Sequence, residues 1–599
     1  TESGKLRINL ADARGSFKGS GKKKKARVSG DGFCTILSAI AFALPSDDTD
    51  HKHLKWGVLQ CLPYLELGEF TGKILSMLNV RLDQGGSSRQ GPGDHILDCA
   101  SVAAAIGIDG AKVVKSPNMF GGVNGIIKWV TTGTNARSSM ALESAASYLL
   151  QHRQCHGKDD LHRLDVVAFL PILQPNLLSP KHTARVATLE ILNVFKELDY
   201  KQHKADKTDE DAKNNTGLVG PCKAIEMLLA IEKSPLSVER ERERTMHMER
   251  LASIVRSGKV PSPYVHLLMH AVLGYMHVKY SRVWPVAMEM LVPLAEQDWQ
   301  KLWRLLYKQM LVCRNSMAIP VDEEGEADKF GFIGACNNVL ADWSVKTMNY
   351  LENKVDDTLE NIIYMSTSPQ KYEGLLLEGM EKISKYAERK SQYLYILFIE
   401  FLQDQYYVQQ RDVEEINSVD AAGILGSIKS EAKASARDYE ICQEFPSPKI
   451  VSGGKKQNGE KLKLYLKLFA SFNKPEKYCN AAKDMLHFYY IFLYKTDSAA
   501  ALWALRSIFS FKDECIVTYR DNLERLVDDK KYREEMATFS LATSNIIIKE
   551  KHRPKLIDIV TRVSYGKLIT RKGRSAKDTI AARRATVLGF LSGLEESEL

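Results

Sequence analysis

The stretch from Asp484 to Lys512, DMLHFYYIFLYKTDSAAALWALRSIFSFK, decides the fold class of this chain. From Met485 to Tyr494 the side chains are nearly all apolar, so a helix here must be covered on most sides. Thr496, Asp497 and Ser498 interrupt the run. Each can cap a new helix, because a short side-chain oxygen accepts from the free N–H groups of a first turn. Ala499–Phe509 restores helical spacing, with Leu502, Trp503, Leu505, Ile508 and Phe509 on one arc, and Lys512 and Asp513 close it. A third block carries Tyr519, Leu523 and Leu526. Helix pairs of this length cannot bury their apolar faces alone; repeated along a chain, they stack on one another. The spacing predicts an all-α fold, an α-solenoid of HEAT/armadillo-like helical repeats with polar loop insertions.

Working outward, residues 1–30 read as a polar, basic and mobile lead-in, 31–370 as helical repeats, and 371–599 as the repeats that contain the deciding stretch. Residues 31–82 hold three helical blocks, FCTILSAIAFALP, LKWGVLQCLPYL and FTGKILSMLNVRL, with Pro45 and Pro63 ending two of them. Gly85–Asp94, Lys201–Gly220, Val321–Asp328 and Gln409–Ala422 read as polar breaks, which a solenoid accommodates between its helix pairs. No tidy domain boundary emerges. In Val238–Val255, VERERERTMHMERLASIV, alternating Glu and Arg precede an apolar stripe of Met246, Leu251, Ile254 and Val255. That pattern reads as a solvated helix face, since the glutamates cancel most of the field an RNA-binding arginine stripe would need.

Composition is that of an ordinary folded protein, with 44% hydrophobic and 26% charged residues, and no run is long and apolar enough for a transmembrane helix. The chain opens on the polar TESGKLRINL, which lacks the pattern of a signal peptide. The ten cysteines are scattered singly without a CxxC pair, so they read as reduced, mostly small core residues rather than zinc ligands.

The net charge of +9 is mild for 599 residues, but the cations cluster. Lys22, Lys23, Lys24, Lys25 and Arg27 form one run, and Lys455 and Lys456 sit in a stretch read as a glycine-rich loop. Arg571, Lys572, Arg574, Lys577, Arg583 and Arg584 follow Lys567 with Asp578 as the only acid. Such loops can neutralise phosphates and gain affinity by counterion release. Plain solvated loops, or a localisation signal in the four-lysine run, are the alternative readings.

No motif for catalysis emerges. GSFKGSGKKKK (Gly15–Lys25) fails as a phosphate loop, because Lys23 stands where a magnesium-binding Ser or Thr would be. His152, Cys155, His156 and His162 lie close in sequence, and His152 and His156 share a helix face. HExxH and a second Cys/His pair are missing, so a histidine cluster is the better reading than a metal site. No GxSxG elbow occurs.

Four segments carry a resemblance: SKYAERKSQYLYILFIEFL (Ser384–Leu402), FASFNKPEKYCNAAKDMLHFYYIFL (Phe469–Leu493), YRDNLERLVDDKKYREEM (Tyr519–Met536) and ARRATVLGFLSGLEESEL (Ala582–Leu599). In this order they resemble the DRIM (down-regulated in metastasis) family, very large HEAT-repeat components of the small-subunit processome. VLGYMHVKYSRVWPVAMEML (Val272–Leu291) resembles an earlier part of the same family. The resemblance implies a section of a much longer nucleolar protein, a non-catalytic scaffold of the 90S pre-ribosome serving pre-rRNA processing and 18S rRNA maturation. It implies no cofactor, no membrane and no small-molecule substrate. The implied partners are pre-rRNA, U3 small nucleolar RNA and other processome proteins, with the basic residues named above as candidate RNA contacts. The competing reading is a HEAT-repeat adaptor or nuclear transport receptor, which would bind cargo in an acidic groove and sits poorly with a net basic chain.

Overall fold

The computed structural model describes residues 26–27, 58–79, 94–116, 118–156, 166–179, 181–195, 222–234, 239–258, 260, 262–316, 367–407, 421–434, 454–542, 548–569, 580–595 and 598. Lys22–Lys25, Pro45, Gly85–Gly93, Lys201–Gly220, Val321–Asp328 and Arg571–Lys577 lie outside them. The fold is all-α. Among the described residues, strand pairing is confined to Ala26–Arg27 running parallel to Leu65–Glu66. The second of these strands corrects the end of the block LKWGVLQCLPYL: Pro63 sits in a 3-10 turn, Leu62–Tyr64, and Leu65 leaves it extended.

The chain divides into two compact units. The first comprises Thr1–Pro293 with Ile333–Thr367. Its helices are α1 (Thr71–Leu78), α2 (Asp94–Lys115), α3 (Gly122–Val130), α4 (Ser139–His156), α5 (Val166–Leu173), α6 (His182–Asn193), α7 (Lys223–Lys233), α8 (Glu241–Arg256) and α9 (Ser262–Tyr275). The next helix, α10 (Trp284–Ser316), breaks at Asp298, and the unit boundary falls at its Pro293. In the first unit α2 packs on α4, α4 on α6, α6 on α7 and α7 on α8. This near-neighbour order is that of stacked helical repeats.

The Glu/Arg-rich helix α8 departs from its sequence reading. Its buried side is Arg244, Met248, Leu251, Ala252 and Val255, while Met246 is 38% exposed. Arg244 lies inside because its guanidinium donates to the carbonyl of Ser234, the residue that ends α7. A cation suits the exposed carbonyls of a helix C-terminus. Beside it Arg185 of α6 donates to both carboxylate oxygens of Glu232 on α7, at 2.9 and 3.2 Å. Burial alone would raise the Glu232 pKa, but Arg185 outweighs it and holds the carboxyl below its usual range. The outer face of α8 keeps the expected pairing of charges three apart, Arg240 to Glu243 at 3.0 Å.

The second unit, Leu294–Phe332 with Ser368–Leu599, contains the rest of α10. It continues with α11 (Pro369–Lys382), α12 (Ser391–Phe401), α13 (Ala421–Ala434), α14 (Lys455–Ala470), α15 (Met485–Lys495) and α16 (Ser498–Phe509), then α17 (Arg520–Val527), α18 (Tyr532–Thr538), α19 (Arg553–Ile569) and α20 (Ile580–Leu591). Helix α14 packs on α11 and α16, α15 on α16 and α19, α17 on α18, and α19 on α20. Ala421 and Ala422 begin α13 and so fall outside the expected polar break.

The deciding stretch folds as two helices. Asp497 caps α16, its carboxylate accepting from Ala500 N at 2.8 Å. The arc of α16 is narrower than its large side chains suggest: Ala500, Ala501, Ala504, Leu505, Ser507, Ile508 and Phe509 are buried, whereas Leu502 and Trp503 are only partly covered. Small residues here let α14 approach closely enough for Ser507 Oγ to donate to the Leu466 carbonyl at 3.0 Å. Leu505, Ile508 and Phe509 each contribute roughly 1.5–3 kcal/mol through burial. Phe398 of α12 anchors the neighbouring layer, with ring centroids 5.3 Å from Tyr465 and 5.2 Å from Phe469 on α14, and 6.3 Å from Phe492 on α15. Such contacts add about 0.5–1.5 kcal/mol per pair beyond burial.

Candidate functional site

Helices α11 and α14 lie side by side, and their first turns open on one cleft of ≈ 540 Å³. Ser368 caps α11, its hydroxyl accepting from Lys371 N at 3.4 Å, and Pro369 follows with its φ already set for a helix. Gly454 precedes α14, and its N–H donates to the Gln457 side-chain oxygen at 3.3 Å. Ser368, Lys371, Lys456, Gln457, Asn458 and Lys461 all face the cleft, and so do two acids further along the helices, Glu378 and Glu460. Neither helix has an acidic residue in its first turn. Acids are favoured at that position and lysines are disfavoured by about 0.3–1 kcal/mol each, so the two first turns themselves bring only positive charge to the cleft.

Behind the mouth lies a buried network. Lys461 Nζ donates to Glu373 Oε2 at 2.5 Å and to Gln405 Oε1 at 3.3 Å, and sits 4.8 Å from the centroid of the Phe401 ring. Burial pulls the Lys461 ammonium below the usual lysine range, against the opposing pull of Glu373. Gln405 belongs to a π-helical turn, Leu402–Tyr406, that ends α12, and its carbonyl accepts from Asn458 Nδ2 at 2.9 Å. Arg314 donates to Glu400 at 2.6 Å, and Lys429 meets the other carboxylate oxygen at 3.0 Å. Lys461 is thus neutralised by Glu373 in the wall, and Glu460 at the rim pairs with Lys463 at 3.1 Å, while Lys371 and Lys456 are exposed. The arrangement can hold an anion. It pairs no nucleophile with a base.

The cations singled out in the sequence are dispersed. Lys455 and Lys456 do not occupy a loop; they are the first two residues of α14, because Gly454 supplies the extended backbone at which the helix begins. Only Lys456 of the pair lines the cleft. Arg27 lies in the short strand pair. On α20, Arg584 is exposed and Arg583 is 7% exposed, turned toward the interior with Val587 and Phe590. Lys567 is also internal, donating to the Val527 carbonyl at 2.6 Å and to Asp529 at 2.5 Å. Lys22, Lys23, Lys24, Lys25, Arg571, Lys572, Arg574 and Lys577 fall outside the described residues. Sequence reasoning missed Lys371 and Lys461, each a single lysine within a helical pattern; their convergence depends on the register between α11 and α14.

Of the histidine cluster, His162 lies outside the described residues. The rings of His152 and His156 stack with centroids 4.6 Å apart on α4. No group of three His, Cys, Asp or Glu side chains among the described residues is placed to hold a metal ion.

Comparison with known proteins adds a similarity over part of the chain. Residues 456–599 match the family described as U3 small nucleolar RNA-associated protein 20, N-terminal. Over 139 residues, 23% of this chain, the sequence is 33% identical to U3 small nucleolar RNA-associated protein 20 of Schizosaccharomyces pombe, of which it covers 5%. The protein of the same name from Saccharomyces cerevisiae is 20% identical over 341 residues, 57% of this chain and 12% of that protein. The chain therefore spans a small fraction of the length of the curated relatives it matches. From Lys456 to Leu599, including the helix that carries Lys456 into the cleft, it is similar to the N-terminal region of U3 small nucleolar RNA-associated protein 20.

Proposed function

We propose that this chain is part of a non-catalytic helical scaffold of the small-subunit processome, acting in the nucleolus in pre-rRNA processing and 18S rRNA maturation. The observation that carries the reading is the match of residues 456–599 to U3 small nucleolar RNA-associated protein 20. The fold supports it physically. Stacked helical hairpins expose long surfaces while each helix needs only its neighbours for stability, which suits a protein whose work is to hold RNA and protein segments in one arrangement. Pre-rRNA, U3 small nucleolar RNA and other processome proteins are the partners in this reading, and the exposed cations Lys371, Lys455, Lys456 and Arg584 are its candidate phosphate contacts. The basic runs Lys22–Lys25 and Arg571–Lys577 remain candidates on charge alone.

The test is recovery of RNA with the tagged full-length protein from nucleoli. U3 small nucleolar RNA and 18S precursors should co-purify, and depletion should lower 18S rRNA while sparing the large-subunit rRNA. Equal loss of both rRNAs would sink the 18S assignment. Recovery with a Ran-type GTPase and no rRNA precursor would favour a transport receptor instead.

A further inference from the structure

A second surface of the second unit combines cations with aromatic rings. Tyr386 lies in the short helical turn Ser384–Ala387, and its ring centroid is 5.5 Å from that of Trp299 on α10, with 32° between the planes. Arg389 lies 5.5 Å and the Lys385 ammonium 6.0 Å from the centroid of the Tyr386 ring. Lys385 and Arg389 are exposed, Trp299 and Tyr386 are half-buried, and no ion pair among the described residues involves either cation. The acid of the 3-10 turn that follows, Glu388–Lys390, faces inward: Glu388 is 6% exposed and accepts from Asn473 N at 2.9 Å and from Lys474 N. That bond also holds the exposed Lys474 beside the same turn. Nearby carboxylates are engaged with other lysines, Glu381 with Lys467 at 2.7 Å and Asp298 with Lys301 at 3.6 Å. The local field is therefore positive, and it surrounds two rings rooted in the core through the Trp299–Trp303 contact at 5.7 Å.

We propose that Trp299, Tyr386, Lys385 and Arg389 form a binding surface for single-stranded RNA. Unpaired bases offer a π-face that stacks on indole, phenol or guanidinium planes, and the adjoining phosphates pair with the cations. Duplex RNA keeps its bases stacked inside and has no face to offer. A purely acidic peptide such as poly-glutamate could meet the cations but has no ring to place on the aromatic pair. The proposal rests on the RNA-associated reading only for the identity of the natural strand, and the experiment separates the two.

The probe is a fluorescein-labelled, unstructured 20-nucleotide RNA titrated with the 599-residue chain across a salt series. Competitors are a blunt duplex of the same length and poly-glutamate. Single-strand binding should exceed duplex binding. Lys385→Glu with Arg389→Glu, both at exposed positions, should weaken binding and reduce the salt slope by roughly 1.4, about 0.7 per lost phosphate contact. Trp299→Ala should lower affinity about 5- to 150-fold, and Trp299→Phe should restore part of it, which a general loss of folding would not explain. Equal binding of duplex, equal competition by poly-glutamate, or an unchanged salt slope in the charge-reversed variant would overturn the proposal. Single-strand binding that survives in a chain failing to recover U3 RNA from nucleoli would sink the processome reading and leave this surface standing.

Discussion

Replacing Gly274 with alanine sets a helix-propensity gain against a steric cost, and the geometry decides the sign. Gly274 lies in the last turn of α9, where that helix crosses the 3-10 turn Gln174–Leu178. A Cβ added there would stand 1.9 Å from the Leu177 carbonyl oxygen and 3.1 Å from its carbon. Ordinary contact begins near 3.4 Å, so the helix would have to retreat by about 1.5 Å. The obstacle is backbone, which cannot rotate away as a side chain would. Alanine in a helix is worth up to about 1 kcal/mol over glycine, whereas forcing atoms into a packed interior costs about 1–3 kcal/mol or more. Gly274→Ala should therefore destabilise the first unit by about 1–2 kcal/mol net. Gly589 on α20 is the internal control, since a Cβ there meets nothing within 4 Å; Gly589→Ala should stabilise by up to about 1 kcal/mol. Because two units need not unfold together, the assay is hydrogen exchange resolved by peptide rather than one melting curve. Faster exchange should be confined to the segment from the turn Gln174–Leu178 through α9 for Gly274→Ala. If both substitutions stabilise equally, the close approach of α9 to Leu177 is refuted.

Three further perturbations follow from the same structure. Asp497→Ala removes the oxygen that Ala500 N donates to and should cost about 1 kcal/mol in the exchange protection of α16; Asp497→Asn, which keeps an acceptor, should cost less. Glu232 has a folded-state pKa below its unfolded value, held there by Arg185 against burial. The stability it contributes is fully present above the unfolded glutamate pKa and is lost as pH falls through the depressed folded one; urea titrations at successively lower pH should show that decline in the first unit, and Glu232→Gln should flatten it. Lys371→Glu with Lys456→Glu places acids on two helix N-termini, so the second unit should keep or slightly gain stability while any polyanion bound in the cleft is lost; unchanged RNA crosslinking would leave these lysines as plain surface.

The sequence by itself determined the helical class and some of the local boundaries, although it read the starts of α13 and α14 as loop. The polar break at Thr496–Ser498 caps α16 as read, because capping depends on residues within one turn of each other. The resemblance of the last part of the chain to a known family was also legible, since a resemblance is carried by residue order alone. Side-chain direction was not. Arg583, Arg584 and Lys567 belong to one basic run in the sequence, yet helix rotation turns Arg583 inward, leaves Arg584 in water and gives Lys567 to Asp529. Arg244 looked like part of a solvated stripe until the end of α7 provided a carbonyl for it. Trp299 and Tyr386 are far apart in sequence, and only tertiary packing brings them within 5.5 Å. A pattern along the chain reports which residues share a helix face; what that face meets depends on the register and crossing of helices that the pattern does not encode. For this protein the helical fold and the family resemblance were written in residue order, and which of its many cations face water, and beside what, was decided by packing.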